Sequence, residues 1–371
     1  KGALRTSDTL ARLGGDEFIV LLSELGGPAD ALRVAGKLQE ALAPVCYLQG
    51  CEVYPSASIG IACFPADARD QETLLRYADM AMYRAKAQGR GVSTLYDVEM
   101  GRQVQARIHL FERLKSTLRH DGLHLHYQPQ IDVATGAVVG VEALLRWHDE
   151  ELGNVSPEDF IPLAESSGLI HEIGDWVLDT ACRQWQLWAR AGMRLRMAIN
   201  LSARQFRRAD LGDRLQSLLL KHAVPPSWLE LEITESEAMA DPKETHAILE
   251  QLTALGVKVT LDDFGKGHSS LSYLQLMPIR RIKIDRDFMR QIPAHGSSVV
   301  LVQAVLALAR TLDLDVVAEG VETDEQLDFL RQHGCTLYQG WLFAPALPPE
   351  RIGALWHGAG AAPPLGLSDR A

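Results

Sequence analysis

The 371-residue sequence has few cysteines, no long apolar run and no surplus of positive charge. Its five cysteines, Cys46, Cys51, Cys63, Cys182 and Cys335, form neither a C-x-x-C pair nor any spacing that suits zinc. An odd, scattered set predicts reduced thiols in a cytoplasmic setting rather than a disulfide framework. No apolar stretch approaches the roughly 20 residues needed to cross a bilayer, so no membrane contact is expected of this chain. The net charge of -11 excludes broad electrostatic binding to DNA or RNA, although a phosphate ligand held through cations stays compatible with it. The chain opens Lys1-Gly2-Ala3, without methionine or a leader pattern, and reads as a piece of a longer protein. An upstream sensor or membrane anchor stays open for such a parent.

What is present is ample core material, 47% hydrophobic and 23% charged, at a length that suits two or three domains. Near the start, Leu10 to Leu13 and Ile19 to Leu22 are apolar runs flanking Gly14-Gly15-Asp16-Glu17-Phe18, a hairpin signal. Two acids beside glycines at that turn suit a metal-nucleotide site, and an ordinary Gly-Asp turn is the alternative. Helices are expected over Pro28 to Leu42 and Gln71 to Ala87, with a strand around Val53 to Cys63 between them. Met100 to His120 then carries Val104, Ile108, Phe111, Leu114 and Leu118 at helical spacing, a connector helix.

From Leu123 onward apolar runs alternate with amphipathic helices such as Ile173 to Trp188. Strands are expected at 124–129, 137–144, 196–200, 229–234, 258–262, 282–285, 315–319 and 336–339. Such alternation implies mainly parallel strands and a (β/α)8-like barrel, with one early strand antiparallel; a doubly wound open sheet is the alternative. In a barrel the strand ends meet at one mouth, which would gather Glu142, Asn200, Glu232, Asp262, Asp263, Lys283, Asp285, Glu319 and Gln339. Each could singly be a cap or a surface acid, and Asp262-Asp263 in particular could cap the next helix. Together these carboxylate and amide oxygens favour hard ions, Mg²⁺, Mn²⁺ or Ca²⁺, over zinc. Adjacent aspartates also suit two ions held close together, an arrangement used in phosphate-ester cleavage.

The first part of the chain resembles the GGDEF domain of diguanylate cyclases. The likeness rests on Gly14 to Phe18, Ser58-Ile59-Gly60, Ala78-Asp79-Met80-Ala81-Met82-Tyr83, Lys86 and Gly89-Arg90. It implies a partial α/β domain over residues 1–99, lacking the upstream metal and nucleotide residues that synthesis of cyclic di-GMP needs. It also implies that Asp16 and Glu17 face metal and GTP, and that Arg5 and Asp8, in an R-x-x-D spaced before Gly14, match an inhibitory cyclic di-GMP site.

The second part resembles the EAL-domain cyclic di-GMP phosphodiesterases. The likeness rests on Tyr127-Gln128-Pro129, Glu142-Ala143-Leu144-Leu145-Arg146, Asn200-Leu201-Ser202, Glu232-Ile233-Thr234-Glu235, Asp262-Asp263-Phe264-Gly265, Lys283-Ile284-Asp285, Glu319-Gly320 and Gln339-Gly340. It implies an EAL barrel over 121–355, after a linker helix at 100–120 and before a disordered tail at 356–371. The implied reaction opens cyclic di-GMP to linear 5'-pGpG, using two Mg²⁺ or Mn²⁺ ions, with Ca²⁺ inhibitory. Carried over, Glu142, Asn200, Glu232 and Asp262 hold the first ion, and Asp262 with Asp263 the second, near Glu319. Lys283 orients or deprotonates the attacking water, and Glu235 anchors the loop after Asp263. Gln128, Leu145, Arg146, Asp285 and Gln339 contact the dinucleotide. A homodimer is implied, with the GGDEF part as regulatory neighbour. A receptor that binds without hydrolysing, or a bifunctional parent, are the alternatives. Lys266 and His268 depart from the threonine and aromatic usual in the family, which puts the rate or affinity in doubt but not the ligand set.

Overall fold

The structure, a computed structural model, describes residues 3–48, 51–87, 89, 91–118, 122–266, 271–292 and 296–358. The chain divides into two compact units, Lys1–Glu112 and Arg113–Ala371, so the connector helix is shared between them.

In the first unit, strands β1 (Thr9–Gly14) and β2 (Glu17–Leu21) form the antiparallel hairpin expected around the glycine pair. Helix α1 (Pro28–Leu42) begins on a proline, whose missing N–H costs nothing in a first turn. Strands β3 (Cys46–Leu48) and β4 (Cys51–Val53) pair antiparallel, whereas β5 (Ile59–Ile61) pairs parallel with β6 (Ser93–Leu95). The single strand expected from Val53 to Cys63 is therefore two strands with different partners. Pro55 lies between them and has no N–H to donate to a ladder. Helix α2 (Gln71–Ala87) lies so close to β5 that a Cβ on Gly60 would meet the Ala78 carbonyl oxygen at 2.0 Å, which only glycine avoids. Helix α3 runs Val98–Thr117, two residues ahead of the expected start; His120 lies outside the described residues.

The second unit is a closed barrel. Strands β7 (Leu123–Asp132) and β8 (Val138–Asp149) form a long antiparallel hairpin, and the short β9 (Gly153–Val155) adds to the outer edge of β8. Then follow β10 (Arg196–Asn200), β11 (Leu229–Thr234), β12 (Lys258–Phe264), β13 (Arg281–Ile284), β14 (Asp315–Ala318) and β15 (Leu337–Tyr338), each parallel to the one before. Pairing of β10 with β8, and of β15 with β7, closes the ring and rules out an open sheet. Only β7 runs against both its neighbours, as the sequence suggests. β9 was not expected, because three residues carry no readable alternation.

Helices α4 (Pro157–Ser167) and α5 (Ile170–Arg190) follow the hairpin. On α5, Ile173, Val177, Ala181, Trp185 and Trp188 are buried, so the tryptophans are core. Trp185 also donates its indole N–H to the Leu195 carbonyl, which satisfies a buried polar group. A helix at Pro349–Gly358 runs past residue 355 into the stretch expected as a tail, and residues 359–371 lie outside those described. No described helix is long and apolar enough to cross a membrane. Cys46, Cys63, Cys182 and Cys335 are free thiols.

Candidate active site

Alternation along the barrel strands sends every second side chain inward, so inward residues stack in layers. On β11, β12 and β13 the pairs Glu230 and Glu232, Thr260 and Asp262, and Arg281 and Lys283 build two such layers. In the deeper one Glu230 is matched by the guanidinium of Arg281 and the hydroxyl of Thr260, and Arg281 reaches Asp315 at 3.0 Å. That layer is close to charge balance.

The upper layer is not. Lys283 Nζ, wholly buried, lies 2.6 Å from Glu319, 2.7 Å from Glu232, 3.1 Å from Glu142 and 3.4 Å from Asp262. One ammonium thus faces four carboxyl groups. Gln339 donates to Glu142 at 2.6 Å and to Glu319 at 3.0 Å, and Asn200 donates to the other Glu142 oxygen at 2.6 Å. The structure therefore gathers Glu142, Asn200, Glu232, Asp262, Lys283, Glu319 and Gln339 at one mouth, from seven different strands or strand ends.

The electrostatics follow from crowding. Burial pushes Glu232 well above the usual carboxylate range, and the charges of Glu142 and Asp262 add to this against Lys283. Burial also drives Glu319 up to about 8, with Lys283 opposing and Asp262 and Glu142 reinforcing. Glu142 behaves oppositely. Burial would raise it, but Lys283, Gln339 and Asn200 together bring it below its ordinary value. Burial alone would strip Lys283 of its proton, yet the surrounding carboxylates, Asp262 and Glu142 foremost, outweigh this and hold its pKa well above the ordinary value.

The aspartate pair sits on an irregularity. The β12–β13 register shifts between Leu261 and Phe264, and Asp263 has φ +54°, the left-handed region that costs a non-glycine residue about 1 kcal/mol or more. The shift breaks the alternation that would send neighbouring side chains to opposite faces. Asp262 reaches Lys283, while Asp263 receives Lys266 at 3.2 Å. Glu235, from the short helix Glu235–Ala240, accepts the Gly265 N–H at 2.7 Å. Asp285 caps the helix Arg286–Met289 and also pairs with Lys266 at 2.8 Å. His268 lies outside the described residues.

Further along the β7–β8 hairpin, Gln128 stands opposite Glu142 and donates to the Ala344 carbonyl at 3.4 Å. His124 stands opposite Arg146, which donates to the Leu145 carbonyl at 2.9 Å. The half-buried Leu145 and Arg146 are thus several residues further out than the carboxylates. His124 and His126, whose rings meet edge to face at 5.2 Å, flank them and were not singled out from sequence. Their alternation with Leu123, Leu125 and Tyr127 was the available signal.

In the first unit, Gly14 to Phe18 form the tip of the β1–β2 hairpin, with Asp16 and Glu17 exposed. Arg12 closes the turn by donating to the Gly15 carbonyl at 2.6 and 3.0 Å. Asp8 accepts the Arg5 backbone N–H at 2.8 Å and so caps its own turn. Arg5 itself is exposed.

The donor set fits divalent cations. All its members are hard oxygen donors, and Glu232 Oε1 is buried with no hydrogen-bond partner among the described residues. Such an orphaned acceptor costs about 1–3 kcal/mol unless something coordinates it. Among the described residues no three His, Cys, Asp or Glu side chains close around one point as an ion cage, and Lys283 takes the focus instead.

Comparison with known proteins agrees with this architecture. The EAL domain family matches residues 112–346, and the diguanylate cyclase GGDEF domain matches residues 1–92. The bifunctional diguanylate cyclase/cyclic di-GMP phosphodiesterase MucR of Pseudomonas aeruginosa is 45% identical over 350 residues, covering 94% of this chain and 51% of MucR. The cyclic di-GMP phosphodiesterase PdeR of Escherichia coli is 39% identical over 345 residues, covering 93% of this chain and 52% of PdeR. The chain thus spans about half the length of these relatives. The solved structure of the PaMucR phosphodiesterase in complex with c-di-GMP is 46% identical, with a TM-score of 0.65, covering 66% of this chain and 99% of that one. A barrel closed by one reversed strand, an acid-rich mouth and a match over residues 112–346 together make this chain a member of the EAL domain family, preceded by a GGDEF domain match.

Proposed function

We propose that the barrel unit hydrolyses cyclic di-GMP to linear 5'-pGpG with the aid of two divalent cations, Mg²⁺ or Mn²⁺. The observation that carries this reading is the convergence of Glu142, Glu232, Asp262 and Glu319 on Lys283, with an orphaned Glu232 oxygen beside them. Glu142, Asn200, Glu232 and Asp262 would hold one ion, and Asp262 with Asp263 the other. When bound, the ions would make water a better nucleophile at neutral pH and offset the charge on the phosphodiester.

The chain's own residues supply orientation. Lys283 fixes four carboxyl groups in one focus, and Gln339 clamps Glu142 to Glu319. Arg146, at the outer end of β8, is suited to a phosphate or a guanine edge through its planar fork. Gln128 and Asp285 line the same mouth. Glu319 stands 2.6 Å from Lys283 and completes the ring of acids around it.

The test is incubation with cyclic di-GMP and Mg²⁺ or Mn²⁺, with product identified by chromatography. Appearance of 5'-pGpG, abolished by EDTA, is expected; no linear product with either metal would overturn the reading. Glu142→Ala should lower turnover by roughly 10²-fold or more while unfolding stays cooperative. Tight binding without turnover would favour the receptor reading instead. The GGDEF part is proposed as the regulatory neighbour, with GTP at Asp16 and Glu17. Unchanged hydrolysis on adding GTP to a chain that carries the whole GGDEF domain would count against that.

A further inference from the structure

Lys266 is the cation of the barrel mouth that the proposed reaction leaves without a task. Its Nζ lies 2.8 Å from Asp285 Oδ2, 3.2 Å from Asp263 Oδ1 and 3.6 Å from Asp287 Oδ2. Among the described residues the mouth thus pairs two ammonium groups, Lys266 and Lys283, each with its own acids. Lys283 is rooted in β13 and has no solvent exposure, so it stays where it is. Lys266 hangs from the turn after Asp263 with its side chain 43% exposed, so unlike Lys283 it has water to swing into when displaced.

The partners of the two lysines do not overlap. Asp262 pairs with Lys283, whereas Asp263 pairs with Lys266. The second Asp285 oxygen is engaged as a helix cap, accepting the Asp287 N–H at 2.7 Å, so Lys266 takes the one that remains. An oxygen-seeking dication approaching Asp263 must displace this ammonium and then tolerate it nearby. Among the described residues no exposed ammonium pairs with Glu142 or Glu232 in this way.

We propose that Lys266 is a tethered cation that competes with a divalent ion for Asp263, so that the two ions of the site bind with separated affinities. The inference rests on Asp262 and Asp263 being ion ligands. Its consequence is graded activation: one ion is held at low concentration, and the Asp263 side fills only as the divalent concentration rises.

Titration of the whole chain with Mn²⁺, followed by electron paramagnetic resonance without substrate, tests this directly. The wild-type chain should show two binding events separated by tenfold or more. Lys266→Met should tighten the weaker event about tenfold and leave the tighter one unchanged. Lys266→Arg, which keeps the charge, should behave as wild type, and Asp263→Asn should remove the weaker event alone. In parallel, the Mn²⁺ concentration for half-maximal hydrolysis should fall about tenfold in Lys266→Met. Two events with the same constants in wild type and Lys266→Met would overturn the inference while leaving the ion-ligand reading intact. No Mn²⁺ binding by the wild-type chain would remove both.

Discussion

Gly265 donates its backbone N–H to the buried carboxylate of Glu235 at 2.7 Å, tying the turn after Asp263 to the helix that follows β11. The contact couples the strained Asp263 backbone to a neighbouring element of the barrel. Glu235→Ala should therefore lower cyclic di-GMP hydrolysis at least tenfold and weaken Mn²⁺ binding, with a stability loss of about 1–3 kcal/mol. Glu235→Gln, which keeps an acceptor, should lie between the two. Equal activity of Glu235→Ala and wild type would show that the turn holds its shape without this contact.

Lys283 neutralises a layer that has no other buried cation among its described partners. Lys283→Met should destabilise the protein by about 3 kcal/mol in EDTA, because the carboxyl groups lose their common partner. Divalent ions that take its place should restore much of this, so the Mn²⁺-induced rise in unfolding midpoint should exceed that of wild type. Calorimetry with and without Mn²⁺ decides the matter, and an equal rise in both proteins would contradict it.

Arg113 grips Asp149 through Nε at 2.9 Å and a terminal nitrogen at 2.8 Å. Burial would raise the Asp149 carboxyl, but Arg113 and the Leu152 and Glu151 amides hold it below its ordinary value. A depressed folded-state value contributes stability above the unfolded value of about 3.9, and that contribution fades as pH falls through the folded value. Arg113→Ala should cost about 2 kcal/mol at pH 7 and pH 5. The gap between its urea midpoint and that of wild type should begin to narrow below the unfolded value and close only as the pH falls through the lower folded-state one. A gap that stays constant over that whole acid range would assign the loss to packing instead.

Gly340 follows the clamp residue Gln339 where two backbones touch. An added Cβ would stand 2.1 Å from the Val321 carbonyl oxygen and 2.3 Å from its nitrogen, atoms that cannot swing aside. Gly340→Ala should cost about 3 kcal/mol and displace Gln339 from Glu142 and Glu319. A variant with the wild-type unfolding midpoint would mean that the backbone adjusts freely there.

Much of this site is legible in the sequence because β-branched runs end abruptly in acids and amides. A run such as Val259-Thr260-Leu261 predicts both a buried strand and the place where its chemistry begins. The bulge under Asp262 and Asp263 is not legible, since it depends on how β12 registers against β13. The deeper ion pair of Glu230 with Arg281 is equally hidden: its partners lie on different strands, and only the barrel's register puts them level. Lys266 was recognisable as unusual but not as a partner of Asp263 and Asp285, because a flexible side chain on a turn advertises no direction. In the first unit, Pro55 was the missed sign that Val53 to Cys63 is not one strand.

The reversed direction of β7 determines where the polypeptide joins the barrel. Its first residues lie level with the outer end of β8, where His124 faces Arg146, and the incoming helix is fastened there by Arg113 to Asp149 and by Thr117 to the Trp147 indole. Had β7 run parallel to its neighbours, the chain would have arrived at the sealed floor beneath Glu230 and Arg281. Instead, Arg113 and Thr117 hold the chain at the outer end of β8, level with Arg146 and away from that floor.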